Sequence, residues 1–239
     1  MMGDLSGKKI MVTSGGTREY IDEVRIITNI SSGALGAKIA EELYNRGAEV
    51  FYVHTKGSHS PAENDYSCFD SQIAMQMRKN DPTLSYHRVV TANDMFEKIR
   101  GLMSGFNFDA VVHSAAISDF TFDYKGALKL SSSSPEAFIE HLRNTITQTP
   151  KIIKYIREWN PHAALVGFKF TVGCENIEAN ARDFLHDNMA SMIVANDKVE
   201  MAKLKTHRAH LITDPGCLTC DGKEAIAIGI ADFLEKRLS

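Results

Sequence analysis

The feature that most constrains the fold of this 239-residue chain is an alternation in which short apolar runs of strand character are followed by stretches of helical period. Parallel strands need a crossover, usually an amphipathic helix, so this order predicts a mostly parallel sheet with helices on its faces. Lys9 to Thr13 reads as the first strand, Val50 to His54 as the second, Tyr86 to Val90 as the third and Ala110 to His113 as the fourth. Ala164 to Phe168, Ser191 to Ala195 and a last strand, His210 to Thr213, complete the series. Ser31-Ser32-Gly33 opens a helix whose apolar positions, Leu35, Ile39, Ala40 and Leu43, form one buried stripe. That helix ends at Asn45-Arg46-Gly47, where the glycine suits a left-handed C′ position. Thr91 caps a helix running to about Met103. Thr149 and Pro150 read as the cap and first residue of another, which Asn160-Pro161 ends. Two more run from Glu175 to Asp187 and from Lys223 to Leu238. The expected fold is an α/β, Rossmann-like three-layer domain covering residues 1–239.

With 44% hydrophobic residues the chain can bury one substantial core. Its 27 basic and 30 acidic residues are interspersed, which leaves no electrostatic footprint for nucleic acid or an anionic membrane. The N-terminus lacks the apolar core and cleavage site of a signal peptide. No window reaches the roughly 18 consecutive apolar residues that span a bilayer, so a cytoplasmic protein is expected. Four cysteines are too few for a disulfide framework. Cys217-Leu-Thr-Cys220 has no second ligand pair for zinc, and reads as two thiols in a turn between a strand and the last helix. No metal-ligating residues are assigned. Met75 and Met77 read as packing, and His54 and His113 as satisfied strand-end residues rather than general bases.

Two glycine-bearing segments follow the first strand, Ser14-Gly15-Gly16-Thr17 and Ser31-Ser32-Gly33-Ala34-Leu35-Gly36. Together they offer backbone N–H groups, hydroxyls and a helix N-terminus, an arrangement that suits a phosphate. A dinucleotide fingerprint would place G-x-G-x-x-G directly between strand and helix, with an acidic residue ending the second strand. Here about fifteen residues intervene and the second strand ends in His54-Thr55-Lys56. That disfavours an NAD(P)-dependent short-chain oxidoreductase, as does the lack of an evident Tyr-x-x-x-Lys pair. The P-loop pattern is absent. A non-catalytic nucleotide-binding module is the other alternative, and would bind ligand without turnover. Ser114 to Asp119, at the carboxyl end of the fourth strand, are small enough to let a ligand approach the backbone. Residues 120–134, with Gly126 and four serines in a row, read as a mobile flap.

The run Met11-Val12-Thr13-Ser14-Gly15-Gly16-Thr17-Arg18-Glu19-Tyr20-Ile21-Asp22-Glu23-Val24-Arg25, continued by Ile27-Thr28-Asn29-Ile30-Ser31-Ser32-Gly33, resembles the opening of phosphopantothenoylcysteine synthetases. The resemblance recurs at Ala115-Ala116-Ile117-Ser118-Asp119-Phe120, Thr149-Pro150-Lys151-Ile152, Gly167-Phe168-Lys169 and Val194-Ala195-Asn196-Asp197, so it spans the chain. It implies a ligase of coenzyme A biosynthesis that joins 4'-phosphopantothenate to cysteine through an acyl-nucleotide, using CTP or ATP with Mg2+. It further implies a homodimer, with any decarboxylase a separate chain. By motif position, Asn29 falls at the acyl-nucleotide and Lys129 on the flap lysine that closes over the triphosphate. Ser14, Gly15, Gly16, Thr17, Arg18, Ser31, Ser32 and Gly33 fall on the phosphate loops. Ser114, Ala115, Ala116, Asp119, Pro150, Lys151, Ile152 and Phe168 fall at the nucleotide. Arg182 keeps a positive charge where family members place phosphate-reaching lysines. Leu130 is followed by serines rather than lysines, as in eukaryotic and stand-alone forms; the resemblance as a whole favours CTP.

Overall fold

The structure, a computed structural model, describes residues 5–59, 83–123, 129–130 and 134–239. Along the chain, β1 (Lys9–Ser14) leads into a hairpin of β2 (Arg18–Tyr20) and β3 (Ile26–Thr28). Then come α1 (Ala34–Asn45), β4 (Glu49–Thr55), β5 (Leu84–Val89), α2 (Ala92–Gly105), β6 (Ala110–His113) and β7 (Phe120–Phe122). They are followed by α3 (Pro135–Thr145), β8 (Ile146–Gln148), α4 (Ile152–Trp159), β9 (Ala164–Thr171), α5 (Ile177–Asp187) and β10 (Met192–Asp197). The chain finishes with α6 (Lys198–Leu204), β11 (Arg208–Thr213), β12 (Gly216–Asp221) and α7 (Lys223–Leu238).

Eight strands make one sheet in the order β5-β4-β1-β6-β9-β10-β11-β12. The first six are parallel, and β11 and β12 close the far edge antiparallel. This is the doubly wound order: the chain moves outward one way from β1, then returns to start again at β6. Val12 lies beside Val112 and Thr13 beside His113 across that switch.

Successive residues of a strand face opposite layers, and β1 uses both. Ile10 and Val12 belong to a core with Ile39 and Leu43 of α1 and Ile226, Ile230 and Leu234 of α7. Met11 belongs to the opposite core, with Met95 and Ile99 of α2, Ile152 and Ile156 of α4 and Leu185 of α5. Each such side chain, removed from water, contributes about 1.5–3 kcal/mol. The three layers expected from the alternation are present.

Helix boundaries follow local chemistry. Thr91 and Asp94 form a reciprocal capping box at α2, and Gly47 after α1 has φ 91°, the left-handed C′ residue. Thr149 does not cap a helix. Its hydroxyl donates to the Ser118 carbonyl (2.6 Å) and its N–H to that of Asp119 (3.1 Å), so the chain stays extended past β8 and α4 begins at Ile152. Cys217 and Cys220 do not sit in a turn either; both lie on β12, the first exposed and the second buried. Met75 and Met77 lie outside the described residues.

Two small antiparallel pairs escape a period-based reading because each strand is three residues long: the hairpin of β2 with β3, and β7 with β8 across α3. The first fills the interval between the glycine segments, and the second takes Phe120–Phe122 out of the expected flap. Of the remaining flap, 123, 129–130 and 134 are described, and 124–128 and 131–133 lie outside the described residues. Among the described residues no helix is long and apolar enough to cross a membrane.

Candidate active site at the switch point of the sheet

The two glycine segments meet at the carboxyl ends of β1 and β6. Ser14 Oγ donates to the Gly33 carbonyl (3.0 Å), which draws the start of α1 onto the end of β1. Gly33 has φ 73°, a left-handed geometry that favours glycine, and α1 carries no side-chain cap there. Of its first amides, Ala34 N donates to Ser32 Oγ (3.4 Å), and those of Leu35 and Gly36 keep their donor capacity. A Cβ on Gly36 would collide with Ser14 Oγ and lie 2.6 Å from Ser114 Oγ, so only glycine lets α1 approach both strand ends this closely. On Gly16 a Cβ would strike the Asn29 carbonyl.

Hydrogen bonds cross the switch point in both directions. Ala116 N donates to the Gly15 carbonyl (2.8 Å) and Thr17 N to that of Ala116 (3.2 Å). The buried Thr17 Oγ1 accepts from Ser118 N (3.0 Å), and Ser114 Oγ donates to the Thr13 carbonyl (2.6 Å). Asn29 is exposed, and its side-chain amide donates to the Ile117 carbonyl (2.9 Å). That bond fixes the amide plane beside the 115–119 segment. Ser31 and Ser32 flank it, and the Ser32 carbonyl accepts from His59 N (2.9 Å).

On the other side of the 115–119 segment lies a cavity of about 190 Å³, lined by His113, Ala115, Ile117, Asp119, Thr149, Pro150, Lys151, Ile152, Ile153, Phe168 and Phe184. Four separated stretches of chain supply these residues. Ala115, Asp119, Pro150, Lys151, Ile152 and Phe168 are brought together here, six of the positions that the family resemblance assigns to the nucleotide. Asp119 and Lys151 form an ion pair at the rim, both side chains 65% exposed, so water screens it and it adds little to stability.

Other expected residues stand elsewhere. Arg182 is occupied by the β11–β12 turn, donating to the carbonyls of Thr213 (2.9 Å) and Gly216 (3.3 Å) and pairing with Glu178, and it does not line the cavity. Arg18 lies on β2, where its N–H donates to the Val90 carbonyl (2.9 Å) and its guanidinium packs against Gly57. Lys129 is exposed, but its neighbour is tied down. Leu130 N donates to Asp22 Oδ2 (3.1 Å), and Arg25 donates to the Leu130 carbonyl (3.2 Å). Burial works to raise the Asp22 carboxyl. The N–H groups of Val24, Leu130 and Arg25, with the Arg25 charge, outweigh it and hold the group below its usual range.

Sequence reasoning passed over two contributors. Glu19 is fully buried and accepts from Ala92 N (2.8 Å), at the start of α2, and from Thr121 Oγ1 (2.8 Å), bracing β2 against β7. Asp22 is the second. A charged residue in the middle of a short apolar-flanked hairpin is the signal that would have marked both. His113, read from the sequence as a satisfied strand-end residue, is buried and lines the cavity.

Among the described residues no three His, Cys, Asp or Glu side chains converge as a metal site. The acidic group lining the cavity is Asp119. Such a donor set fits magnesium held by phosphate oxygens and water, not by a protein cage.

The strand order and the cleft at its reversal define the class, a doubly wound α/β domain of the Rossmann kind. More narrowly, the chain belongs to the family described as the DNA/pantothenate metabolism flavoprotein C-terminal domain, which matches residues 5–238. It is similar to the coenzyme A biosynthesis bifunctional protein CoaBC of Thermococcus kodakarensis, 37% identical over 194 residues, covering 80% of this chain and 42% of that protein. The chain thus spans less than half the length of that relative. Among solved structures it is similar to the DNA/pantothenate metabolism flavoprotein of Streptococcus pneumoniae, at 29% identity and a TM-score of 0.75, covering 97% of this chain and all of that one. It also shares its fold, at 17% identity and a TM-score of 0.73 over 96% of this chain and 88% of that one, with a Cab2 mutant in complex with phosphopantothenate-cysteine.

Proposed function

We propose that the chain joins 4'-phosphopantothenate to cysteine through an acyl-nucleotide, as a ligase of coenzyme A biosynthesis. The observation that carries this reading is the convergence at one cavity of Ala115, Asp119, Pro150, Lys151, Ile152 and Phe168, with Asn29 bonded to the same 115–119 segment. The family, and the activities in the names of its relatives, support the substrate class.

In the first step a carboxylate oxygen of phosphopantothenate attacks the α-phosphorus of the nucleotide, and the bond to pyrophosphate breaks. In the second, the cysteine amine attacks the acyl carbon, the amide forms, the nucleoside monophosphate leaves and the amine gives up a proton. Both steps gather negative charge on oxygen, so fixed donors lower their barriers. The uncapped start of α1 and the Ser14–Thr17 loop offer such donors to phosphate. Asn29, held by Ile117, presents a neutral amide at the acyl-nucleotide, and Lys129 brings a cation to the triphosphate. Magnesium would travel with the triphosphate, and CTP stands ahead of ATP as the nucleotide.

The homodimer belongs to the same proposal. Val24, Ile26, Ile27 and Ile30 on and beside the β2–β3 hairpin, Phe120 and Ile146 on β7 and β8, and Ile139 on α3 are all exposed. These elements adjoin one another, since Glu19 bonds Thr121 and the Arg25 guanidinium lies 5.0 Å over the Phe138 ring. An apolar surface of this kind supports burial against a second copy.

Pyrophosphate release with 4'-phosphopantothenate, cysteine, magnesium and either CTP or ATP tests the reading. Release that requires phosphopantothenate is expected, and none with either nucleotide sinks it. Asn29→Asp should still release a first equivalent of pyrophosphate while product formation slows at least tenfold, about 1.4 kcal/mol of lost stabilisation. Unimpaired product formation refutes the role given to Asn29.

A further inference from the structure

His113 closes β6 with 8% of its surface exposed, and that remainder faces the cavity it lines. Its Nδ1 lies 2.8 Å from Thr13 Oγ1. Thr13 is fully buried, and its oxygen already accepts from Ala115 N (3.2 Å). Among the described residues the one acceptor within reach of the Thr13 hydroxyl hydrogen is His113 Nδ1. Turned the other way, with Nδ1–H donating, that buried hydroxyl hydrogen would have no acceptor, which costs free energy. The count of donors and acceptors therefore puts the ring proton on Nε2. Among the described residues Nε2 has no hydrogen-bond partner, and it is not sealed from the cavity.

The walls around it, Ala115, Ile117, Ile152, Ile153, Phe168 and Phe184, are apolar. Asp119 and Lys151 pair with each other at the rim, and the Thr149 hydroxyl is committed to the Ser118 carbonyl. An occupant that reaches His113 meets an apolar slot with one side-chain N–H donor, beside the backbone N–H groups at the start of α4, which carries no side-chain cap. Such a slot fits an aromatic heterocycle that carries an acceptor on its edge.

We propose that His113, through Nε2–H, is a specificity-determining residue that donates a hydrogen bond to a ring nitrogen or carbonyl on the edge of the nucleotide base. The proposal deepens the ligase reading and rests on its placing of the nucleotide in this cavity. Thr13 acts through His113 as a positioning residue, setting the tautomer. Burial pushes the imidazole down to about 4, which keeps the donor neutral in the working range. A base without an acceptor at that point leaves the N–H unpaired and is rejected accordingly.

Two measurements test it. In ¹⁵N spectra of the histidine rings, His113 should show the Nε2–H tautomer. Adding CTP or ATP, without the other substrates, should move the Nε2 resonance and leave Nδ1 in place. In kinetics, His113→Asn keeps a group near Thr13 but removes the cavity donor, whereas His113→Gln places an amide N–H near the lost Nε2. The Asn variant should lose about ten- to a hundredfold in kcat/KM for the nucleotide, with KM for phosphopantothenate unchanged, and the Gln variant should recover most of it. The loss falls on CTP or on ATP according to which base occupies the slot. An Nδ1–H tautomer, an Nε2 resonance unmoved by saturating nucleotide, or equal kinetics for the two variants overturns the proposal. If the nucleotide moves Nε2 yet no pyrophosphate is ever released, the ligase reading fails and the role of His113 stands. If both variants fail to fold, the spectra of the unmodified protein decide.

Discussion

On the β1 side of the switch point four glycines let separate stretches of chain close together, whereas on the β6–β9 side the chain leaves a cavity. The first side is made of glycines. Gly16 lies against the Asn29 carbonyl, Gly15, Gly33 and Gly36 lie against serine and threonine side chains, and the hydroxyls of Ser14, Thr17 and Ser114 bond neighbouring peptide groups. The second side is made of large apolar walls with a ring N–H facing the space between them. Substitutions of these glycines should therefore act mainly on folding, and those on the cavity side mainly on binding.

The contrast can be broken most directly at Gly36. Gly36→Val drives carbon into Ser14 Oγ and Ser114 Oγ. Overpacking at such a contact should cost about 3 kcal/mol, visible as a lower urea midpoint. A loss below about 1 kcal/mol would show that α1 can back away and that the glycine side is not rigid. Of similar size is a pH effect on the cavity side. The unfolded His113 titrates near 6.5 and the folded one near 4, so the unfolded chain binds the extra proton between those values. Stability contributed by the neutral ring is complete above pH 6.5 and falls as pH drops towards 4, by about 3 kcal/mol in all. Unfolding curves across that range should be steeper in pH for the unmodified protein than for His113→Asn; equal slopes would deny that burial holds the ring neutral. The smallest effect belongs to the rim. Lys151→Met breaks an exposed pair with Asp119, and should change stability by no more than about 0.5 kcal/mol. A larger loss would mean that the cavity mouth, too, is part of the packed structure.

The contrast also accounts for what the sequence disclosed. Alternation gave the parallel sheet because buried strands and amphipathic crossovers have different periods, and Thr91 and Gly47 marked helix ends because caps are local. The two segments that meet at the ends of β1 and β6 were visible as glycine and serine clusters. Strands of three residues carry no period, so both small strand pairs stayed hidden. Thr149 misled for a different reason: a hydroxyl that suits a helix cap also suits a distant carbonyl, and Ser118 claimed it. The cavity positions of Phe168, Pro150 and Lys151 could be assigned only through family resemblance, since nothing local marks an apolar residue as a wall. Arg182, carried over by the same route, donates to the β11–β12 turn.

The tie between Leu130 and the Asp22–Arg25 pair has a consequence for the lysine beside it. Both backbone groups of Leu130 are held by the hairpin turn, so Lys129 is attached one residue from a fixed point. Its ammonium group is thereby a tethered ion, confined to the volume that one side chain can sweep. A charge so confined stands at a high effective concentration near its anchor, with less translational freedom to surrender when an anion arrives.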